Sequence, residues 1–279
     1  MIEDRVGPRP TRESSPLKAV IVIGAILLVA GGAAYFFWPS PPPPPPASAA
    51  APAPPPVVQH YAVATPASAE TLPTLADSDP TVLDALKKLL GPDAAAKLLV
   101  PESIVRNLVA TIDNLPRDHL AMRLSPVHSP GGTFKASGKD ESLAISPDNA
   151  SRYGPYVTAF EASDPSTVIP LYLRLYPLFQ QAYIDLGFPN GYFNDRLVEV
   201  IDHLLAAPEP TAPVKLVSPH VLYEFADPDL ESRSSGQKLM MRLGPDNEAR
   251  VKAKLRAYRK ELVAQTPASA ISVPRTNRP

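Results

Sequence analysis

The sequence predicts a mainly α-helical domain joined to a membrane by one N-terminal transmembrane helix and a proline-rich linker. Three features indicate this architecture. An uncharged apolar run covers residues 19–38, a proline cluster follows it, and helix start and stop signals recur from residue 72 onward. The chain has 279 residues, of which 44% are hydrophobic, so it can also build one sizeable core.

The apolar run AVIVIGAILLVAGGAAYFFW has the length of about 20 residues that a helix needs to cross the hydrocarbon core of a bilayer. Arg5, Arg9, Arg12 and Lys18 precede the run, and the next lysine or arginine after it is Lys87. Because basic flanks stay on the cytoplasmic side, we expect residues 1–18 to be a cytoplasmic head. The prediction is a single-pass anchor that contacts the lipid bilayer through residues 19–38.

Two further readings of this segment stay open. The A-x-A sequence at residues 47–49 is typical of a signal-peptide cleavage site, although the apolar run is longer than the usual 7 to 15 residues of a signal peptide. The small residues Ala30 and Ala34 have the spacing that lets two membrane helices pack closely, which would give a weak homodimer.

A proline- and alanine-rich segment covers residues 39–71, and it has too few bulky apolar side chains for a core. We expect a disordered, partly polyproline II linker that holds the domain away from the membrane. An alternative is that its PPPPPP run binds an aromatic-lined groove of a partner. The tail at residues 266–279 is also expected to be disordered.

The charge and cysteine content exclude several classes of function. With 27 basic and 28 acidic residues the net charge is -1, whereas nucleic-acid binders usually carry a basic surplus. The chain has no cysteine, which removes thiolate catalysis, cysteine-ligated zinc and disulfides. We therefore predict no nucleic-acid partner. The sequence also contains no HExxH motif, no Walker loop and no G-x-G-x-x-G motif, so we predict no metal and no cofactor.

The domain at residues 72–265 is predicted to be helical because capping residues and prolines mark the helix ends. Asp79, Asp164 and Asp227 each precede a proline, which suits the first turn of a helix. The remaining helices are predicted over residues 101–115, 148–162, 168–186, 192–206, 228–243 and 245–264. Short β-prone runs near residues 133–136 and 143–146 predict a small hairpin insertion, and residues 214–217 predict another short strand.

The candidate functional residues lie in the stretch FPNGYFNDRLVEVIDHLL at residues 188–205. On a helix its apolar residues share one face, while its charged residues share the other. Glu199 and His203 are four residues apart and could form a general acid/base pair, with Asp195 beside them. The alternative is a solvated ladder of Arg196, Glu199 and His203 that needs no substrate.

Four further residues are candidates for binding. Arg174 lies in the apolar segment 168–187, where a guanidinium must find a carboxylate or reach solvent. Arg196, Tyr192 and Asn194 could place a substrate near the acid/base pair, although capping of the helix explains a polar residue at its start equally well.

The basic segment ARVKAKLRAYRK covers residues 249–260. We expect a solvated face there that complements the dipole of its helix. The alternative is attraction to anionic lipids or to an acidic partner.

Five segments together resemble a family of Gram-negative bacterial proteins that is known as a domain of unknown function. These segments are DNLPRDHL, YPLFQQAY, YFNDRLVEVIDHLL, VLYEFADPDLES and GQKLMMRLGP. The resemblance covers most of residues 72–261. It implies an inner-membrane protein with a periplasmic domain, and it supplies no activity or catalytic residue.

These observations predict a membrane-anchored periplasmic module that binds an envelope protein or a cell-wall component. The alternative is a periplasmic hydrolase that uses Glu199 and His203. The alternative requires that side chains from other segments, such as Asp113, Arg174 or Glu224, converge on His203.

Overall fold

The computed structural model describes residues 57–63, 71–211, 213–219 and 222–272. The predicted transmembrane helix and most of the predicted linker lie outside these residues. Within the described ranges, no helix combines the length and the apolar character that crossing a membrane requires. The described part is mainly helical with small β-hairpins, as the sequence predicts.

The first three helices are α1 (Asp79–Leu90), α2 (Pro92–Leu98) and α3 (Ile104–Asn114). Gly91 separates α1 from α2 with a φ of 84°, a left-handed conformation that glycine adopts without steric cost. The Asp79 carboxylate accepts hydrogen bonds from the Ser103 and Ile104 amides at 2.6 and 2.8 Å. It thereby satisfies free donors at the start of α3, because the first amides of a helix have no partner within it.

The central helices are α4 (Asn149–Ala162), α5 (Pro165–Asp185) and α6 (Phe193–Leu205). Helix α5 contributes buried side chains to both apolar clusters of the domain, while its opposite face, which includes Arg174, is exposed. Gln180 of α5 fixes the start of α6. Its Nε2 donates to the Gly191 carbonyl at 2.7 Å, and its Oε1 accepts from the Phe193 amide at 2.9 Å.

The last helices are α7 (Pro228–Glu231), α8 (Ser235–Arg242) and α9 (Pro245–Gln265). The sequence predicted one helix over residues 228–243, but the chain breaks between α7 and α8. The cause is Ser234, whose hydroxyl accepts from the Gln237 amide and so starts a new helix.

Two short hairpins lie beside the helices. Strand β2 (Ala136–Ser137) pairs with β3 (Ala144–Ile145), and β4 (Leu216–Val217) pairs with β5 (Glu224–Phe225), both antiparallel. A single bridge between Ala144 and Lys215 joins the hairpins. The first hairpin and strand β4 agree with the sequence prediction, whereas strand β5 was not predicted.

A third antiparallel pair corrects the prediction of disorder at the two ends of the domain. Strand β1 (Val57–Tyr61) pairs along its whole length with β6 (Ala268–Ser272). The residues of β1 were assigned to the disordered linker and those of β6 to the disordered tail. The prediction is wrong for these two segments because each gives the other a hydrogen-bonding partner that local composition cannot reveal.

The helices enclose two apolar clusters that share α5. One is formed by α5, α6 and α9 and includes Val198, Leu255 and Leu262. The other is formed by α1, α3 and α5 and includes Val105 and Phe179.

Candidate functional site

Helix α6 carries most of the residues that the sequence singled out, and the structure divides them into two groups. Tyr192, Asn194 and Asp195 at its N-terminal end contact strand β1. Arg196, Glu199 and His203 contact α3 or lie near the start of α8. The two groups therefore contact different parts of the chain and do not form one common site.

The first group fastens the N-terminal strand to the domain. The Asp195 carboxylate accepts from the Tyr61 amide at 2.7 Å and from His60 Nδ1 at 2.8 Å. Asn194 is fully buried, and its Nδ2 donates to the Tyr61 carbonyl at 3.0 Å and to Thr266 Oγ1 at 3.3 Å. These two residues therefore bind strand β1, the chain's own backbone.

Tyr192 and Tyr172 complete this group. The Tyr192 ring lies 4.0 Å from the His60 ring, centroid to centroid, and remains 46% exposed. The Tyr172 hydroxyl donates to Asn194 Oδ1 at 3.1 Å. Burial raises the pKa of Tyr172 well above its ordinary value, so the phenol stays a hydrogen-bond donor at neutral pH.

The second group is centred on the buried carboxylate of Asp113, at the end of α3. Its side chain is only 3% exposed and lies between two guanidinium groups. Arg196 donates from Nε to Asp113 Oδ1 and from Nη2 to the Asp113 carbonyl, both at 2.9 Å. Arg117 pairs with the other carboxylate oxygen, so Asp113 is fully committed to a structural ion pair.

The predicted ladder forms only in part. Arg196 pairs with Glu199 at 2.9 Å, as expected, but the hydrogen bond of His203 goes from Nε2 to Ser234 Oγ at 2.7 Å. Burial lowers the pKa of His203, the nearby positive charge of Arg196 lowers it further, and Glu199 opposes both. His203 is therefore a mainly neutral residue at pH 7 that joins α6 to the cap of α8.

The contacts of Asp113 go to Arg196 and Arg117, whereas the hydrogen bond of His203 goes to Ser234. Glu224 lies in strand β5, and Arg174 is exposed on α5. Within the residues that the structure describes, no group of three or more histidines and carboxylates could hold a metal ion.

The domain contains an apolar cavity of about 390 Å³ between its two clusters. Its walls come from α1, α3, α5, α6 and α9, together with Phe160 of α4. The phenol groups of Tyr172 and Tyr258 are turned to hydrogen-bonding partners, Asn194 and Ser163 respectively. Nothing in this lining is charged, so the cavity suits only a hydrocarbon. Helix periodicity does not predict such a cavity, since an apolar helix face has the same pattern whether it meets another helix or a space.

A second groove, of about 420 Å³, lies where α8 and α9 meet residues 145–150, 209–211 and 213–214. Its floor contains Glu248, which is 2% exposed, and burial raises the pKa of this carboxyl. Lys252, only 1% exposed, donates to the Ala207 carbonyl and to Glu209, both at 2.6 Å. Its Nζ is also 3.1 Å from Glu248 Oε1, in an ion pair without hydrogen-bond geometry.

The burial of Lys252 corrects the prediction that residues 249–260 form a uniformly solvated basic face. The carboxylate of Glu248, one turn earlier on α9, neutralises the lysine and explains how it can be buried. The spacing of four residues between them was the available sequence signal.

The family model described as "Protein of unknown function (DUF3014)" matches residues 104–259, more than half of the chain. The chain belongs to this family. No curated protein matches it, and no solved structure does.

The region matched by the DUF3014 model includes the Asp113 group, the His203–Ser234 contact and the buried Lys252. Strand β1, helix α1 and strand β6 lie outside it. Helix α6 therefore lies in the region that the DUF3014 model matches, whereas strand β1, which the first turn of α6 binds, lies outside it.

Proposed function

We propose that this chain is a membrane-anchored binding module of the bacterial cell envelope and not an enzyme. In this proposal residues 19–38 cross the inner membrane once, the head is cytoplasmic and the domain is periplasmic. The partner is an envelope protein or a cell-wall component.

The proposal rests on the contacts of helix α6, whose candidate residues bind other parts of the same chain. Asn194 and Asp195, which were candidates for binding and catalysis, hold strand β1. Arg196 holds the end of α3. Since β1 directly follows the proline-rich linker, these bonds fix the attachment point of the tether, which suits a module that must hold its place relative to a membrane.

One contact favours the hydrolase alternative, namely the 2.7 Å hydrogen bond between His203 and Ser234. A serine nucleophile needs an accessible hydroxyl beside a base. Ser234 is buried, and its hydroxyl already caps α8. Glu199 is turned to Arg196 and does not complete a catalytic group with His203.

Photo-crosslinking in living cells tests the binding function. A photoreactive amino acid at the exposed positions Met122, Leu222 and Leu239 should capture a defined protein or cell-wall fragment. The double variant Glu199→Gln/His203→Gln should capture the same partner with the same yield. No capture from any position, or capture that requires the pair, would overturn the proposal.

The location is tested separately with a reporter enzyme fused after Pro279 that is active only in the periplasm. We expect activity from the full chain and none after residues 19–38 are deleted. Activity of a cytoplasm-specific reporter at the same position would overturn the topology.

A further inference from the structure

We infer that the apolar cavity is a binding site for one hydrocarbon chain that carries an anionic head group, such as a fatty acid or the acyl chain of an anionic lipid. This ligand would be additional to the macromolecular partner, and the inference depends on the proposed function only in placing the domain next to a membrane.

The cavity has the size and lining of a site for a chain. Its volume of about 390 Å³ lies within the range of ligand pockets. It is more than twice the roughly 150 Å³ that suffices for benzene in an engineered apolar cavity, so it can hold a chain on the order of a dozen carbons. Water is a poor occupant, because it needs polar partners that the lining does not provide.

The walls come from different parts of the fold, which makes the cavity a feature of the whole helical assembly. Leu86 belongs to α1, Leu108 to α3, Leu171 to α5 and Leu204 to α6. Each is only partly buried by its neighbours, as expected for a side chain that borders a space. A chain moved from a bilayer into such a space keeps its apolar surroundings.

The head group is assigned from the groove that adjoins the cavity. Leu89 lines both the cavity and a surface groove of about 510 Å³ between α1, α2 and α4. Lys97 is the charged residue in the lining of that groove, and its side chain is exposed. A carboxylate or phosphate at the end of the chain would therefore meet a positive charge where the chain leaves the cavity.

The test uses the full chain in native membranes, with a photoactivatable fatty acid and the matching fatty alcohol as probes. After irradiation, mass spectrometry should find the acid on residues of α1, α3 and α5 that line the cavity. Labelling confined to residues 19–38, or absent, would overturn the inference. A phospholipid with the same chain, used in parallel, distinguishes a membrane lipid from a free acid.

Two matched variants on α5 show whether the cavity is the site. Leu171→Trp fills the cavity, whereas Leu173→Trp, two residues away, does not border it. We expect Leu171→Trp to lower labelling by about tenfold or more and Leu173→Trp to leave it unchanged. Ala85→Phe fills the cavity from α1 and replaces Leu171→Trp if that variant does not fold. Equal labelling in filled and unfilled variants would contradict the site.

The head-group assignment has its own control. Lys97→Glu should reduce labelling by the acid about tenfold and leave labelling by the alcohol unchanged. If Lys97→Glu were labelled by the acid as strongly as the wild type is, the head-group assignment would be wrong. The partner-capture experiment does not involve these variants, so failure of the two proposals can be told apart.

Discussion

Asp113 is the residue whose charge organises the contact between α3 and α6. Asp113→Asn keeps the shape of the side chain but leaves Arg196 with only the exposed carboxylate of Glu199. We expect a loss of about 1 to 3 kcal/mol in the free energy of unfolding, since the buried carboxylate of the ion pair is removed. Urea unfolding followed by far-ultraviolet circular dichroism measures it.

Glu199→Gln is the control for Asp113→Asn, because it removes the second carboxylate paired with Arg196. The Glu199 side chain is 65% exposed, so its loss should cost less than about 1 kcal/mol. Equal losses for both variants would show that Asp113 has no special part in the contact.

His203 should make stability depend on pH in a defined direction. Its pKa is lowered in the folded chain by burial and by Arg196, so the unfolded chain takes up a proton first as the pH falls. The free energy of unfolding should therefore decrease as the pH is lowered from 7.5 through about 6.5 and below. His203→Gln should remove this part of the pH dependence, and unfolding curves at several pH values measure it.

The variant Glu199→Gln should change the pH dependence of stability in the opposite direction to His203→Gln. Glu199 favours the protonated form of His203, so Glu199→Gln should lower the pKa further and steepen the pH dependence. A pH profile that is identical in the wild type and in His203→Gln would mean that His203 does not contribute.

The identity of these residues could be predicted from sequence, but only part of their pairing could. Arg196 and Glu199 are three positions apart on one helix, so their ion pair follows from helix geometry. Ser234, the partner of His203, is 31 positions away, and Asp113 is 83 positions from Arg196. Helix periodicity does not predict contacts between residues that are so far apart in the sequence.

At the scale of elements, the start of α8 is attached to the segment that directly follows α3. The amides of Ser235 and Gly236 donate to the carbonyls of Arg117 and Leu115, both at 2.8 Å. The first amides of a helix have no partner within it, so these two bonds satisfy donors that α8 leaves free.

This close approach requires glycine at position 236. A Cβ there would lie 2.8 Å from the Leu115 carbonyl oxygen and 2.8 Å from Leu204 Cδ2. Gly236→Ala should therefore destabilise the chain by about 1 to 3 kcal/mol, despite the higher helix propensity of alanine. Thermal or urea unfolding measures the change.

Gly154 in α4 is the matched control for Gly236. A Cβ at position 154 meets no atom within 4 Å. Gly154→Ala should stabilise the chain by about 0.5 to 1 kcal/mol, because only the helix propensity changes. A stabilising Gly236→Ala would contradict the close contact between α3 and α8.

The elements themselves could largely be predicted, because helix ends depend on local chemistry. The Asp-Pro pairs mark helix starts, and Asp164 and Asp227 do accept bonds from the first turns of α5 and α7. The break between α7 and α8 was missed because Ser234 has no proline beside it and looks like an ordinary polar position. The strands β1 and β6 were missed because each depends on the other.

At the scale of the whole molecule, β1 and β6 close the chain across more than 200 residues. Tyr61 at the end of β1 is held by α6, and Thr266 before β6 bonds to Asn194. One buried asparagine therefore contacts both ends of the domain.

The absence of cysteine allows one experiment to test this closure and the predicted location together. The Cα register pairs Gln59 with Ala270, so the double variant Gln59→Cys/Ala270→Cys places two thiols on neighbouring strands. Because disulfides persist in the periplasm and are reduced in the cytoplasm, we expect this pair to be oxidised in growing cells. Gln59→Cys/Ser272→Cys, two positions out of register, should stay mainly reduced. Gel mobility without reductant distinguishes the oxidised from the reduced form.

Two outcomes would contradict these expectations. If the first pair is oxidised only after a membrane-permeable oxidant is added, the strand pairing is confirmed and a periplasmic domain is contradicted. If both pairs are oxidised equally, the register is contradicted.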